Sequence, residues 1–271
     1  HGMGRHRLVP VLLALGILGV DLGPGRRDED MSVVPVVAAF NAFIYSGLQF
    51  TTASNGLLLQ AAIPALVLLF NRLFFGDRAS ALQIVGVTLS MLGVAVIVLR
   101  GDLAALARLT LNFGDFLVLC GVVCWALYTA FLRLRPDCHP ASFLTATFLI
   151  GAAAMAPFAA MEIADGARIP LRADVLGAFA YVALFPSLVA YVLYNAAVKN
   201  LGAAPAGQMI TLMPLFGAGL AALLLGEALF RFHIIGMVLI LGGIVLGAVG
   251  VQRQLRRIND FGSPVSRGRT N

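Results

Sequence analysis

The uncharged polar side chains that interrupt the apolar runs of this sequence fall into two sets. Asn41, Tyr45, Gln49 and Gln60 stand in the first third of the chain, and Tyr191, Tyr194, Asn195, Gln208 and Thr211 in the last. Amides, phenols and hydroxyls donate and accept hydrogen bonds without carrying charge, which suits them to hold a small polar solute or to bond helices to one another. Both roles stay open for each residue alone. Trp125 and Tyr128 lie three residues apart, on one helical face with Cys124 and near Thr129, where they could stack on an aromatic or cationic solute or pack against a neighbour. Pro64 and Pro214 each lie in a helix-length apolar run, where a proline removes one backbone donor and frees the carbonyl four residues earlier, that of Gln60 or Ile210. In lipid such a carbonyl needs protein or water as a partner, so each proline marks a polar, kinked zone.

Other chemistry has no candidate. The runs hold no interior Asp, Glu, Lys or Arg, since Asp115, Lys199 and Glu227 fall near their ends. Coupling through a buried carboxylate therefore has no obvious residue. There is no Ser/His/Asp set, no HExxH and no GxxxxGK[ST], so neither hydrolysis nor ATP use is supported and no enzyme is expected. Cys120, Cys124 and Cys138 lack metal or redox spacing, and no metal or cofactor is expected.

The prolines belong to a repeat. Ala53 to Asp77 and Ala203 to Glu227 align at an offset of 150 residues, each with its proline and each closing on Gly-acid, Gly76-Asp77 and Gly226-Glu227. The same offset pairs Ile84 with Ile234, Gly86 with Gly236, Leu89 with Leu239 and Gly93 with Gly243, and it pairs Asn41 with Tyr191 and Tyr45 with Asn195. Five helices separate the copies. Because five is odd, the copies enter a membrane from opposite sides, and inverted repeats of this kind commonly place a solute site between them.

Composition sets the environment. With 60% hydrophobic and 12% charged residues the chain lies far from the roughly 25% charged content of soluble domains, so it reads as an all-α polytopic membrane protein. A β-barrel would alternate at period two, and these runs are apolar on every face. Eight spans are predicted, at about 33–50, 53–75, 82–99, 113–132, 141–161, 175–198, 203–225 and 232–251. Ser80-Ala-Leu-Gln83 has capping-box spacing at the start of the third. Four regions follow: an atypical segment 1–32 with the short apolar stretch Leu8 to Val20, an incomplete first repeat 33–100, a second repeat 112–251, and a basic tail 252–271 read as disordered.

The net charge of +6 comes from residues at span ends rather than from an aromatic-interleaved patch, which excludes nucleic acid and makes the charge a topology signal. Counting Lys and Arg in alternate joints places the C-terminus in the cytoplasm. Arg72, Arg78, Arg133, Lys199 and Arg253 belong to that richer side, and Arg100, Arg168 and Arg231 to the other. Gly243-Ile-Val-Leu-Gly247 forms a GxxxG ridge, extended by Gly236 and Gly250, that could pack helices closely or pair two copies as a homodimer. A membrane scaffold built on that ridge is the alternative to a solute transporter.

As a set, the residues resemble the EamA-type branch of the drug/metabolite transporter superfamily. The likeness runs from Tyr45 through Leu48-Gln-Phe-Thr-Thr-Ala-Ser-Asn55 and Pro64 to Gly76-Asp77, where the family usually carries Gly-Glu. It continues through Gly86, Gly93, Gly114-Asp115, Trp125-Ala-Leu-Tyr128, Tyr191, Asn195, Gly202, Pro214, Gly226-Glu227, Gly236 and Gly243. The resemblance implies ten helices as two inverted sets of five, an inner-membrane location, and export or exchange of small metabolites such as amino acids, or of toxic organic compounds. It implies a pocket lined by the helices that carry Gln60, Trp125, Tyr128, Asn195, Gln208 and Thr211. Asn41, Tyr45, Pro64, Tyr191 and Pro214 join the expected lining through the repeat pairing. The front departs from the pattern: the counterparts of 113–132 and 141–161 would fall mostly before residue 1, and Leu8 to Val20 is too short to replace either.

Overall fold

The computed structural model describes residues 33–102, 104, 112–134, 140–164, 166, 170 and 172–261. The described residues form helices joined by short turns: α1 (Val33–Gly47), α2 (Ala53–Gln60), α3 (Ile63–Phe75), α4 (Ala81–Val98), α5 (Phe113–Phe131) and α6 (Pro140–Ala164), then α7 (Ala173–Val182), α8 (Ala190–Leu201), α9 (Ala203–Gln208), α10 (Met213–Leu225) and α11 (Arg231–Phe261). A π-helical turn, Ala183–Val189, joins α7 to α8 around Pro186, and a 3-10 turn, Met209–Leu212, joins α9 to α10. Taken across these joints, seven helical stretches among the described residues are long and apolar enough to cross a membrane. The first predicted span, 33–50, is present as the 15-residue α1, with turn structure after Gly47. The apolar stretch Leu8 to Val20 lies outside the described residues.

Local sequence explains where the elements start and stop. Ser80 and Gln83 form the predicted capping box of α4, with the Ser80 amide donating to Gln83 Oε1 at 2.7 Å and the Gln83 amide to Ser80 Oγ at 3.3 Å. Asn112 and Asp115 do the same for α5. Gly76 and Gly226 end α3 and α10 in the left-handed region, at φ 71° and 69°, and each lets its own amide and the next return to one carbonyl, that of Asn71 or Ala221. The two copies thus close on the same cap.

The prolines act differently from the expected kink. The first run breaks at Ala61 and Ala62 and the second at the 3-10 turn Met209–Leu212, and Pro64 and Pro214 sit in the first turn of a new helix. There the missing N–H is one that a first turn leaves unpaired in any case, so the break costs little at the proline itself. The tail also departs from expectation, because α11 continues as helix past Val251 to Phe261.

Packing follows the small residues. α4 and α11 run antiparallel in close contact: a side chain added at Gly86 would strike the Gly243 carbonyl, and one added at Gly93 would stand 2.7 Å from the Gly236 carbonyl. Since Gly86 is the counterpart of Gly236 and Gly93 of Gly243, the contact is self-complementary, as a two-fold axis requires. The GxxxG ridge is therefore spent inside the chain: Gly247 faces Gln208, and Gly250 faces Ser80. This removes the feature that suggested pairing of copies or a scaffold through that ridge.

The larger core lies between α1, α3 and α5, where Phe43, Val67, Leu117, Val118, Val122 and Tyr128 are buried. Its counterpart in the second repeat is open. Ala39, Ala42 and Phe43 of α1 are covered by α5, whereas their repeat partners Val189, Val192 and Leu193 are 44%, 41% and 63% exposed. The described residues include no first-repeat equivalent of α5 to cover them. Exposed leucines also line α10, with Leu223 at 80%, and an apolar surface this extensive belongs in lipid.

Candidate functional site

Two side-chain contacts and one shared crevice, each between residues 150 apart, mark where the repeats meet. Asn41 and Tyr191 interact through their side chains. Ser90 Oγ donates to the Ile240 carbonyl at 3.3 Å. Ala61 and Thr211 share the walls of a narrow crevice with Gln60, Ile210 and Pro214. A residue that touches its own counterpart lies on the pseudo-two-fold axis, so these pairs trace that axis from α1 and α8, through the two helix breaks, to the α4–α11 contact.

At the first of these points stands an aromatic cluster centred on Trp125. Its ring lies 4.7 Å from Phe40, 5.1 Å from Tyr194, and 5.5 Å from both Tyr128 and Tyr191. Phe148 of α6 closes on Tyr191 at 5.5 Å. Helical spacing brings these groups together: Trp125 and Tyr128 share one face of α5, and Tyr191, Tyr194 and Asn195 share the facing side of α8. The π-helical turn before α8 sets the rotation of that face, a common use of such a turn.

Polar bonds fix the cluster. The buried Tyr128 hydroxyl donates to Asn195 Oδ1 at 2.7 Å. Thr129 Oγ1 donates back to the Trp125 carbonyl at 2.9 Å, which leaves the Tyr194 hydroxyl as donor in the 2.7 Å bond between Tyr194 and Thr129. The Trp125 indole N–H is buried and reaches hydrogen-bond geometry with no described acceptor, although the Tyr194 hydroxyl interacts with it. Trp125, Tyr128, Tyr191, Asn195 and Asn41 are thus brought together. Tyr45 is 65% exposed and stands at the rim, within electrostatic reach of Tyr191.

The remaining expected residues lie elsewhere. Gln60, Thr211 and Pro214 line the crevice at the helix breaks, and Pro64 is buried one turn on in α3. Gln208 points away from the aromatic cluster, donating from Nε2 to the Gly243 carbonyl at 2.9 Å and to Ser90 Oγ at 3.2 Å. It bonds α9 to the α4–α11 pair. Thr211 Oγ1 donates to the Gln208 carbonyl at 2.8 Å and so satisfies an acceptor that the broken helix would leave open.

Two features escaped the residue-by-residue reading. Phe40 and Phe148 complete the aromatic cluster, and nothing separates them in sequence from the many lipid-facing phenylalanines. Asp115, expected only near a span end, is 2% exposed. It accepts from the hydroxyl of Thr51, from Asn55 Nδ2 at 3.3 Å and from the Asn112 amide at 2.9 Å, tying one end of α5 to the α1–α2 turn. The other end is tied by Arg133, paired with Asp77 at 2.6 Å and lying 4.3 Å over the Phe75 ring. Capping-box spacing at Asn112 to Asp115 is the signal that could have found the first of these. Among the described residues no cluster of His, Cys, Asp or Glu could hold a metal ion.

Comparison with known proteins agrees with this architecture. The sequence model of the EamA-like transporter family matches residues 31–99 and 112–248. The uncharacterized transporter YyaM of Bacillus subtilis (strain 168) is 29% identical over 218 residues, covering 80% of this chain and 71% of its own. The probable terminal-alkyne amino-acid exporter of Streptantibioticus cattleyicolor is 25% identical over 254 residues, covering 90% of this chain and 82% of its own. A protein crystal structure superposes with a TM-score of 0.68 over 92% of this chain and 85% of the other, at 17% identity, which speaks to fold alone.

Proposed function

The chain belongs to the EamA-like transporter family, and on that premise we propose that it is a secondary transporter that exports or exchanges small organic solutes by alternating access of its inverted repeats. The favoured substrates are amino acids and related metabolites, with drug-like aromatic compounds as a second group. The single observation that carries this reading is the meeting of the repeat counterparts Asn41 and Tyr191 beside the Trp125 cluster, with the Tyr191 ring 5.5 Å from that of Trp125. A solute held there touches both repeats at once, so a rocking motion of one against the other changes which side reaches it.

The chemistry of the cluster supports the substrate class. Aromatic faces favour an ammonium group or an aromatic ring, and the indole N–H of Trp125 suits a carboxylate or carbonyl. The name of the Streptantibioticus cattleyicolor relative, an amino-acid exporter, points the same way. The richer share of Lys and Arg on the side of Arg78, Arg133 and Arg253 supports an inner-membrane orientation with the C-terminus in the cytoplasm. The test is flux into proteoliposomes with an amino-acid and drug panel. Trp125→Ala and Asn195→Ala are expected to reduce flux at least tenfold while the protein still inserts; background flux for the unaltered protein across the whole panel would refute the reading.

A further inference from the structure

A cavity of about 430 Å³ opens between the start of α4 and the end of α11, far from the aromatic cluster. Arg78, Ser80, Leu82, Gly250, Arg253 and Gln254 line it. We infer that it is a binding site for the headgroup of an anionic phospholipid, with the upper acyl chain against the apolar wall.

Charge is the first argument. Arg78 and Arg253 both line the cavity, and among the described residues no carboxylate lies within ion-pair distance of either. The acidic neighbour Asp77 is already held by Arg133 at 2.6 Å. Two guanidiniums left without an acid at one mouth provide bidentate donors for a phosphate. Gln254 Nε2 donates to the Arg78 carbonyl at 2.9 Å, which fixes the two rims relative to each other.

Depth is the second. Arg253 follows Arg231 by 22 residues on one helix whose membrane-length stretch ends at Gln254. At about 1.5 Å per residue this is roughly 33 Å, close to the hydrocarbon thickness of about 30 Å, so Arg253 stands at headgroup level. The cavity is lined mainly by apolar atoms, as a lipid requires and a free ion does not.

The repeat supplies an internal comparison. At the opposite end of the α4–α11 pair, the counterparts of Ser80 and Leu82 are Phe230 and Phe232. Those rings stack at 5.6 Å, and Phe232 packs on Gly101. The same place in the fold is filled with aromatic rings on one side and left open between arginines on the other.

The experiment is native mass spectrometry of the purified full chain, titrated with phosphatidylglycerol, phosphatidylcholine or inorganic phosphate. The unaltered protein should retain phosphatidylglycerol over phosphatidylcholine, and the double variant Arg78→Gln/Arg253→Gln should lose roughly thirtyfold of that retention, the scale expected for two basic groups at an anionic surface. Arg100→Gln/Arg231→Gln removes the same charge from the other end and should leave retention unchanged, with all proteins matched in elution and melting temperature. Equal retention of both lipids, equal loss in both double variants, or binding of phosphate without phosphatidylglycerol would each overturn the site.

Discussion

At the scale of single residues, the account separates two kinds of buried polar group. Tyr128 and Asn195 belong to the aromatic cluster proposed to hold the solute. Tyr128→Phe leaves Asn195 Oδ1 without its 2.7 Å donor, at a cost of about 1–3 kcal/mol, and should lower transport through a shifted half-saturation concentration. Gln208 is structural. Gln208→Leu removes its bonds to Ser90 and Gly243 and should cost about 1 kcal/mol in a thermal-unfolding assay, while the substrate ranking in the flux panel stays as before. Sequence alone shows a glutamine inside an apolar run and gives both residues the same weight; which face it points to depends on the helix break at Met209–Leu212, whose exact rotation no local pattern encodes. Trp125, by contrast, was legible, because its spacing from Tyr128 fixes a shared face in any helix. As the protein's single tryptophan it also reports on its own cluster, and titration with a bound solute should change its fluorescence intensity.

At the scale of elements, the glycines divide by what they touch. Gly93 packs within collision distance of the Gly236 carbonyl, whereas a methyl at Gly219 on α10 would meet nothing within 4 Å. Gly93→Leu should therefore separate α4 from α11, costing about 1–3 kcal/mol or more and abolishing accumulation of folded protein. Gly219→Ala should be neutral or stabilise by about 0.5–1 kcal/mol, because alanine loses less backbone freedom in a helix. Measuring both by size-exclusion elution and melting temperature checks the assignment, and equal effects would contradict it. The 150-residue offset made this contact half legible: it identified Gly86, Gly93, Gly236 and Gly243 as equivalent pairs. It did not reveal that counterparts cross over, Gly86 to Gly243 and Gly93 to Gly236, since that follows from the axis and not from either helix. The prolines show the same limit, because a proline specifies that a helix is disturbed without specifying where the first turn restarts.

For the whole molecule, the proposed alternating access requires that at least one end of α5 part from the first repeat. The two ends are unequally held. Asp115 is buried and accepts from three groups, whereas the Asp77–Arg133 pair is about half exposed, a setting in which an ion pair is worth about 0–1 kcal/mol. On the proposed mechanism, the Arg133 end is therefore the one expected to open at lower cost. Arg133→Gln should change melting temperature little, whereas Asp115→Leu, which strands the Thr51 and Asn55 donors, should cost about 1–3 kcal/mol or more. The all-helical membrane architecture and the inverted pairing were legible from composition and period. The exposed faces of Val189, Val192 and Leu193 were not, because sequence marks them as apolar without saying whether a helix or lipid covers them. The central claim, a solute carried at the axis beside Trp125, is tested most directly by counterflow of labelled amino acids in proteoliposomes, comparing the unaltered protein with Asn195→Ala at matched insertion. The account predicts accumulation that falls at least tenfold in the variant; accumulation identical in both, or none in either across the panel, would contradict it.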